Sequence, residues 1–217
     1  MYVCAFSLQS NPVGDEGAEK LVQGLQDLHR QARAHRRALA AENNADTLSV
    51  DSSASSIGPV SAAQRYLLQE LDLTDTGLSD QGARHVAELL ANNVYVESLS
   101  LSHNGRISAE DGWSQIGNAL AKNRCLQTLS LDGNRLGDEG AEHLAGGLRS
   151  NRVLRSLTLE DAGIGEAGGK CIMEMLKRNT TLLELTLSPG NSIPEELAED
   201  MQKYIALNRA PYNNFGL

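Results

Sequence analysis

Leucines and small polar residues alternate in one fixed order five times along the last two-thirds of the chain. The fullest copy is Leu126-x-x-Leu129-x-Leu131-x-x-Asn134-x-Leu136, and drifted copies start at Leu68, Val96, Leu154 and Leu182, spaced by 28, 30, 28 and 28 residues. Leu129 and Leu131 alternate with Thr128 and Ser130, a period of two that predicts a strand with one buried face. Asn134 follows, where a side-chain amide can satisfy turn backbone groups that have left the strand ladder. Gly137 and Asp138 open the next element, with Asp138 placed to cap the start of its own helix. Ala141, Leu144, Ala145 and Leu148 recur at helical spacing and give one apolar stripe. Each unit reads strand, turn, helix, turn. Its recurrence predicts a stacked array in which each unit buries its apolar stripe on its neighbours.

Two further positions keep step with the repeat. A glycine falls early in each helix at Gly82, Gly112, Gly140 and Gly168, and since glycine costs about 1 kcal/mol in a helix interior its recurrence predicts close helix-to-helix approach. An asparagine ends each helix at Asn93, Asn123, Asn151, Asn179 and Asn208, a residue that tolerates a left-handed helix terminus. Trp113 replaces the alanine or glycine of the other copies and is expected to fill the gap of the longer, 30-residue unit. Residues 11–25 match 134–148 at ten of fifteen positions, which places Val3, Phe6 and Leu8 in a first strand.

The stretch between that strand and Leu68 breaks the rhythm. Residues 15–42 predict one long helix, and His29–Arg37 concentrates basic charge on it. Thr47–Asp51 reads as a worn strand, with Leu48 and Val50 in the inward positions, and Ser52–Ser56 as a polar linker. The organisation expected is one domain over 1–217. Residues 1–44 form a first repeat with an extended basic helix, and 45–67 a degenerate repeat or an insertion. Residues 68–209 form five regular repeats and 210–217 a tail, about seven units in all.

The 28-residue length, the helical second half and the LGDEGAxxLAxxLxxN phrase resemble the ribonuclease-inhibitor-type leucine-rich repeats. The resemblance implies an α/β solenoid, curved, with parallel strands on the concave side and helices on the convex side. It also implies a non-catalytic scaffold or adaptor of the kind found in cytoskeletal and ciliary assemblies. The other role it implies is regulation of an enzyme, as a GTPase-activating or inhibitor protein using edge loops at Asn104, Arg106, Asn134 and Arg135. The cysteine-rich composition of the ribonuclease inhibitors is not shared: the chain has 3 cysteines.

Composition narrows the partners. The formal net charge is −9, which argues against nucleic acid, whose phosphates call for a basic stripe. No apolar run reaches the eighteen or so residues of a membrane span, so no membrane partner is expected. Three cysteines without paired spacing fit a reduced, cytoplasmic setting. No phosphate loop, nucleophile elbow or HExxH motif is present, and neither cofactor nor metal is expected. The concave face offers Glu70, Asp72, Ser100, Ser130, Asp132, Thr158, Glu160 and Glu184 as a mildly acidic groove for a basic protein surface. Arg30, Arg33, Arg36 and Arg37 offer the opposite, a site for an acidic partner. Arg106 and Arg135 are expected side by side in successive edge loops. Finally, a repeat starting at Val3 has no polar cap before it, and an uncapped strand calls for a protein partner to cover it.

Overall fold

The computed structural model describes residues 4–45, 68–93 and 95–210. Six short strands alternate with six helices: β1 Cys4–Ser7, α1 Gly14–Ala45, β2 Leu68–Asp72, α2 Asp80–Asn92, β3 Ser98–Ser100, α3 Ser114–Lys122, β4 Thr128–Ser130, α4 Gly137–Leu148, β5 Ser156–Thr158, α5 Glu166–Leu176, β6 Glu184–Thr186 and α6 Glu195–Arg209. The strands form one parallel sheet in chain order, as expected when each helix crosses back to start the next strand. Register follows the repeat: Leu71, Leu99, Leu129, Leu157 and Leu185 lie side by side, flanked by the row Asp72, Ser100, Ser130, Thr158 and Thr186. The leucine row is buried, and burial of one such side chain stabilises by about 1.5–3 kcal/mol.

β1 pairs directly with β2, and six strands are present among the described residues. The worn copy at Thr47–Asp51, the Ser52–Ser56 stretch and the tail from 211 onward lie outside the described residues.

Asparagines stitch the array in two columns. In the strand-to-helix turns, the Asn104 Oδ1 accepts from Thr76 N–H at 3.2 Å and Leu78 N–H at 3.1 Å, and its Nδ2 donates to Leu73 and Leu101 carbonyls at 2.8 and 2.9 Å. Asn134 and Asn191 repeat this one rung on, whereas Ala162 leaves one rung empty. At the helix ends, Asn123, Asn151 and Asn179 reach back to carbonyls of Leu90, Leu120 and Leu148 in the preceding helix, at 2.7, 2.7 and 2.8 Å. Their Oδ1 atoms accept from the N–H groups of Leu126, Leu154 and Leu182, two residues ahead of the following strand. These residues do not adopt the left-handed conformation expected of them. Asn93 and Asn123 have φ of −69° and −62°, because the buried amide carries the turn and no helix reversal is needed.

Asp138 is likewise corrected as a cap of its own helix. It lies inside α4, and its Oδ1 accepts from Gly165 and Gly168 N–H at 2.7 and 2.9 Å, at the start of α5. Asp15 does the same for Ser79 and Gly82 of the next unit, and Asp80 for Ser108. Each carboxylate thus satisfies the orphan donors of the following helix rather than its own. The early helix glycines make room for this: a Cβ on Gly82 or Gly168 would crowd the capping Asp15 or Asp138 oxygen. Trp113 is fully buried and ends a single π-type turn, Ala109–Trp113, that absorbs the longer repeat. Its ring edge packs where a Cβ on Gly140 would stand, at 3.3 Å.

Helix α1 departs from the pattern by running on past the array. Its 32 residues extend about 48 Å at 1.5 Å per residue. Ala18, Val22 and Leu25 are buried against the array, but Leu28 is 57% exposed. In register, Leu28 stands where the other helices carry their terminal asparagine. Without that amide nothing diverts the backbone, and the helix continues to Ala45.

Candidate partner-binding surfaces

The sheet places the predicted concave residues in two adjacent rows. Glu70 pairs across to Ser98 and onward to Thr128, Ser156 and Glu184; Asp72 starts the row that runs through Ser100, Ser130 and Thr158. Glu70 and Glu184 are exposed, and the rest of the predicted set is half-buried. Much of this face is already hydrogen-bonded to itself. Asp72 accepts from Ser7 Oγ and Thr74 N–H, both at 2.9 Å. Asp132 accepts from Thr158 Oγ1 at 2.7 Å and Glu160 N–H at 2.8 Å. Ser130 and Thr158 hydroxyls lie 3.0 Å apart, and Ser156 donates to Glu184 at 3.0 Å. Burial pushes the Asp72 carboxyl up, but the bonds from Thr74 and Ser7 outweigh it and leave its pKa below the ordinary carboxylate value. The face is therefore a pre-ordered, acidic, mostly hydroxyl-lined floor. Of the glutamates on this face, Glu70 and Glu184 are exposed, and Glu184 accepts the one bond from Ser156.

The basic segment lies on the distal half of α1. Arg30 and Arg37 are exposed; Arg30 makes a 3.5 Å contact with Asp27. Arg33 and Arg36 share that helix. The strand-to-helix edge carries Arg106 and Arg135, both exposed. Arg135 Cγ lies 3.9 Å from where a Cβ on Gly105 would stand, so Arg135 reaches the loop that carries Arg106. Beside Arg135 is a shallow hollow of about 400 Å³ lined by Gly133, Asn134, Arg135, Gly137, Asp161, Ala162 and Gly163. Asn104 and Asn134, read from sequence as edge-loop contacts, are only 1% exposed and are held in the asparagine column.

The remaining chemistry is structural. Cys125 and Cys171 are free thiols, half-buried rather than fully buried, and burial pushes both thiols up, away from the reactive thiolate. No group of three or more histidine, cysteine, aspartate or glutamate side chains converges on a metal-sized site among the described residues. None of the described helices is long and apolar enough to cross a membrane. Sequence reasoning missed the capping aspartates as inter-repeat links. The signal was present in Asp15, Asp80 and Asp138, each at the start of a helix rather than ahead of it.

Comparison with known proteins agrees with this architecture. The family model described as leucine rich repeat matches residues 5–22, 67–87 and 122–145. These stretches, together with the six-stranded parallel sheet, make the chain a leucine-rich repeat protein. No curated protein matches it. Among solved structures it is similar to that of Leiomodin-1 Actin-Binding Site 2 (ABS2), at 21% sequence identity over 65% of this chain and 81% of that chain, with a TM-score of 0.57.

Proposed function

We propose that this chain is a non-catalytic protein-interaction module of the ribonuclease-inhibitor-like type, a scaffold or adaptor in a cytoskeletal or ciliary assembly. The carrying observation is the concave floor: six parallel strands present outward rows of hydroxyls and carboxylates that are fixed by bonds to one another. A surface ordered before binding loses little side-chain entropy on binding. Its acidic members, Glu70, Asp72, Asp132, Glu160 and Glu184, suit a basic partner surface. The likeness to an actin-binding site of leiomodin, built on the same fold, supports the cytoskeletal setting. A partner seated on β1 also accounts for Phe6, which occupies an inward position yet is 44% exposed.

Proximity labelling in cells, comparing the wild type with Glu70→Lys/Glu160→Lys/Glu184→Lys, tests this reading. The triple variant should keep its thermal midpoint and lose at least one stable cytoskeletal or ciliary neighbour. An unchanged set of neighbours would sink the concave reading. The alternative, regulation of an enzyme through Arg106 and Arg135, rests on their exposed positions in successive loops of one edge. It predicts that the purified chain changes GTP hydrolysis by a small GTPase among those neighbours, and that Arg106→Ala/Arg135→Ala does not.

A further inference from the structure

Three successive turns that lead from a helix to the next strand are basic, on a chain whose net charge is −9. Residues 121–127, 149–155 and 177–183 occupy equivalent places, 28 residues apart. Together they hold seven arginines and lysines and no aspartate, glutamate or aromatic residue. Lys122, Arg124, Arg149, Arg152, Arg155 and Arg178 are all exposed. The equivalent turn of the preceding unit, 91–97, has no cation and ends in Glu97. Stacking gathers the three basic turns on one edge, because Asn151 and Asn179 bond back to the Leu120 and Leu148 carbonyls. Their charges reach one another. Lys177 bonds to Glu174 and holds its carboxyl below the ordinary carboxylate value, with Arg178 and then Arg149 of the neighbouring unit adding to the effect.

Helix dipoles favour cations at helix ends, and Arg124 and Arg152 serve that role. Arg124 Nη1 donates to the Ala121 and Asn123 carbonyls at 3.1 and 3.0 Å, and Arg152 Nη1 to those of Arg149 and Asn151 at 3.0 and 2.9 Å. A guanidinium has further donors on Nε and Nη2, and these two are held in place with those donors unused among the described residues. The ion pairs of the described residues lie within single helices: Lys20–Glu16, Arg30–Asp27, Lys170–Glu166, Lys177–Glu174 and Lys203–Asp200. None takes in the six exposed cations of this edge. Neighbouring units stand about 5 Å apart at the sheet and about 9 Å apart at the helices, so three of them match an extended segment of about six residues. A nucleic acid strand longer than this would run on to Glu97 and Glu184 and would find no aromatic platform. A bilayer would find no apolar anchor among these cations. We propose that this edge docks a short acidic segment of a protein partner, whose carboxylates bridge guanidinium groups of adjacent units. The proposal rests on the interaction-module reading and gives it a second surface, opposite in charge to the concave floor.

The probe is a fluorescein-labelled peptide of about eight residues in which glutamate alternates with serine, so that its carboxylates fall on one side at intervals of about 7 Å. Its control carries glutamine for glutamate. Fluorescence anisotropy is read against the full chain at about 50 and about 500 mM NaCl, which weak and strong screening separate. The glutamate peptide should bind about tenfold more tightly than its control at the lower salt, and the preference should shrink at the higher. Arg124→Gln/Arg152→Gln and Arg149→Gln/Arg178→Gln should each weaken binding about tenfold. The second pair should also keep the wild-type thermal midpoint, since neither side chain donates a hydrogen bond within the described residues. Lys20→Gln/Lys170→Gln removes the same charge from other faces and should change binding less than about twofold. The proposal is overturned if the two peptides bind alike or not at all, or if Arg149→Gln/Arg178→Gln binds like wild type. It is also overturned if the lysine pair loses as much as the arginine pairs. A dT oligonucleotide or phosphatidylserine vesicles binding through these arginines while the peptide stays inert would overturn it too. Glu70→Lys/Glu160→Lys/Glu184→Lys should bind the acidic peptide at least as tightly as wild type, so failure here and failure of the concave reading are separate results.

Discussion

The two halves of α1 share one helix and one apolar pattern, yet they live under different physical rules. Residues 14–25 sit in the array as α2 to α5 do, with Ala18, Val22 and Leu25 buried and Asp15 tied to the next unit. Residues 26–45 keep the same backbone but lie beyond the end of α2. The difference is not intrinsic helix propensity, because alanine, arginine and leucine favour a helix in both halves. It is the neighbour. Inside the array a helix is held by stripes, amides and carboxylates from two flanking units; outside it, local hydrogen bonds must suffice, and isolated helical segments are marginal in water. Substitutions within the array should therefore be felt by the whole stack, and those in residues 26–45, the arm of α1 past the end of α2, should stay local.

The largest effect should come from Asn151→Ala. The Asn151 side chain is fully buried, donates to Leu120 O at 2.7 Å and accepts from Val153 and Leu154 N–H, both at 2.8 Å. Truncation strands three backbone groups, two of them buried, at the joint between two repeats, at a cost of about 3–4 kcal/mol. Chemical denaturation should show this as a lower midpoint. A loss below about 1 kcal/mol would mean that water replaces the amide and that the column is not what couples the repeats.

Next in size is a pair of adjacent glycines in α4. A Cβ on Gly147 would overlap the carbonyl oxygen of Gly117 in α3, backbone against side chain with nothing flexible to give way, whereas a Cβ on Gly146 meets nothing within 4 Å. Gly147→Ala should destabilise by about 2–3 kcal/mol. Gly146→Ala, one residue away, should stabilise by up to about 1 kcal/mol through helix propensity alone. Thermal unfolding of the two variants side by side checks the sign change.

Acid should loosen the joint between α1 and α2 by about 1 kcal/mol, less than either destabilising substitution. Burial pushes the Asp15 carboxyl up, but the Ser79 hydroxyl, the Ser79 and Gly82 N–H groups and the nearby Arg106 charge together leave its pKa below the ordinary carboxylate value. A depressed folded-state pKa means that the stabilisation is fully present above the unfolded carboxylate range near 4 and disappears as pH falls through the folded value. Asp72 adds to the same window. Asp15→Asn should lower stability at neutral pH and flatten the acid limb of the stability curve; an unchanged acid limb would remove Asp15 as a contributor.

Most of the fold was legible because its repeat is written in large apolar residues: Leu129, Leu131 and Leu136 announce strand and turn, and Leu144 and Leu148 the helix. The glycine column was legible too, since only contact explains glycine recurring in a helix. Inter-repeat polar links were not, because Asp138 and Asn151 have plausible local roles and the distant ones depend on which groups stacking brings within hydrogen-bonding reach. The pairing of β1 with β2 was not legible either, because it joins strands some sixty residues apart in the chain. The absent asparagine at Leu28 was the available clue that the first helix is not punctuated like the rest. The concave set is visible as alternate positions, yet alternation alone does not tell that Asp72 and Asp132 are bonded to their neighbours while Glu70 stays exposed.

The smallest expected effect falls on the arm itself, and it separates the two regions most directly. Leu28→Ala removes a large side chain that is 57% exposed, so global stability should change by no more than about 0.5 kcal/mol. Hydrogen exchange should then divide α1 in the unbound protein. Amides of residues 17–25 should open only with the array, while those of residues 29–45 should exchange through local fraying, independently of global stability. If residues 29–45 were already as protected as residues 17–25 in the free chain, the arm would be supported by contacts within the chain, and the contrast between the halves of α1 would collapse.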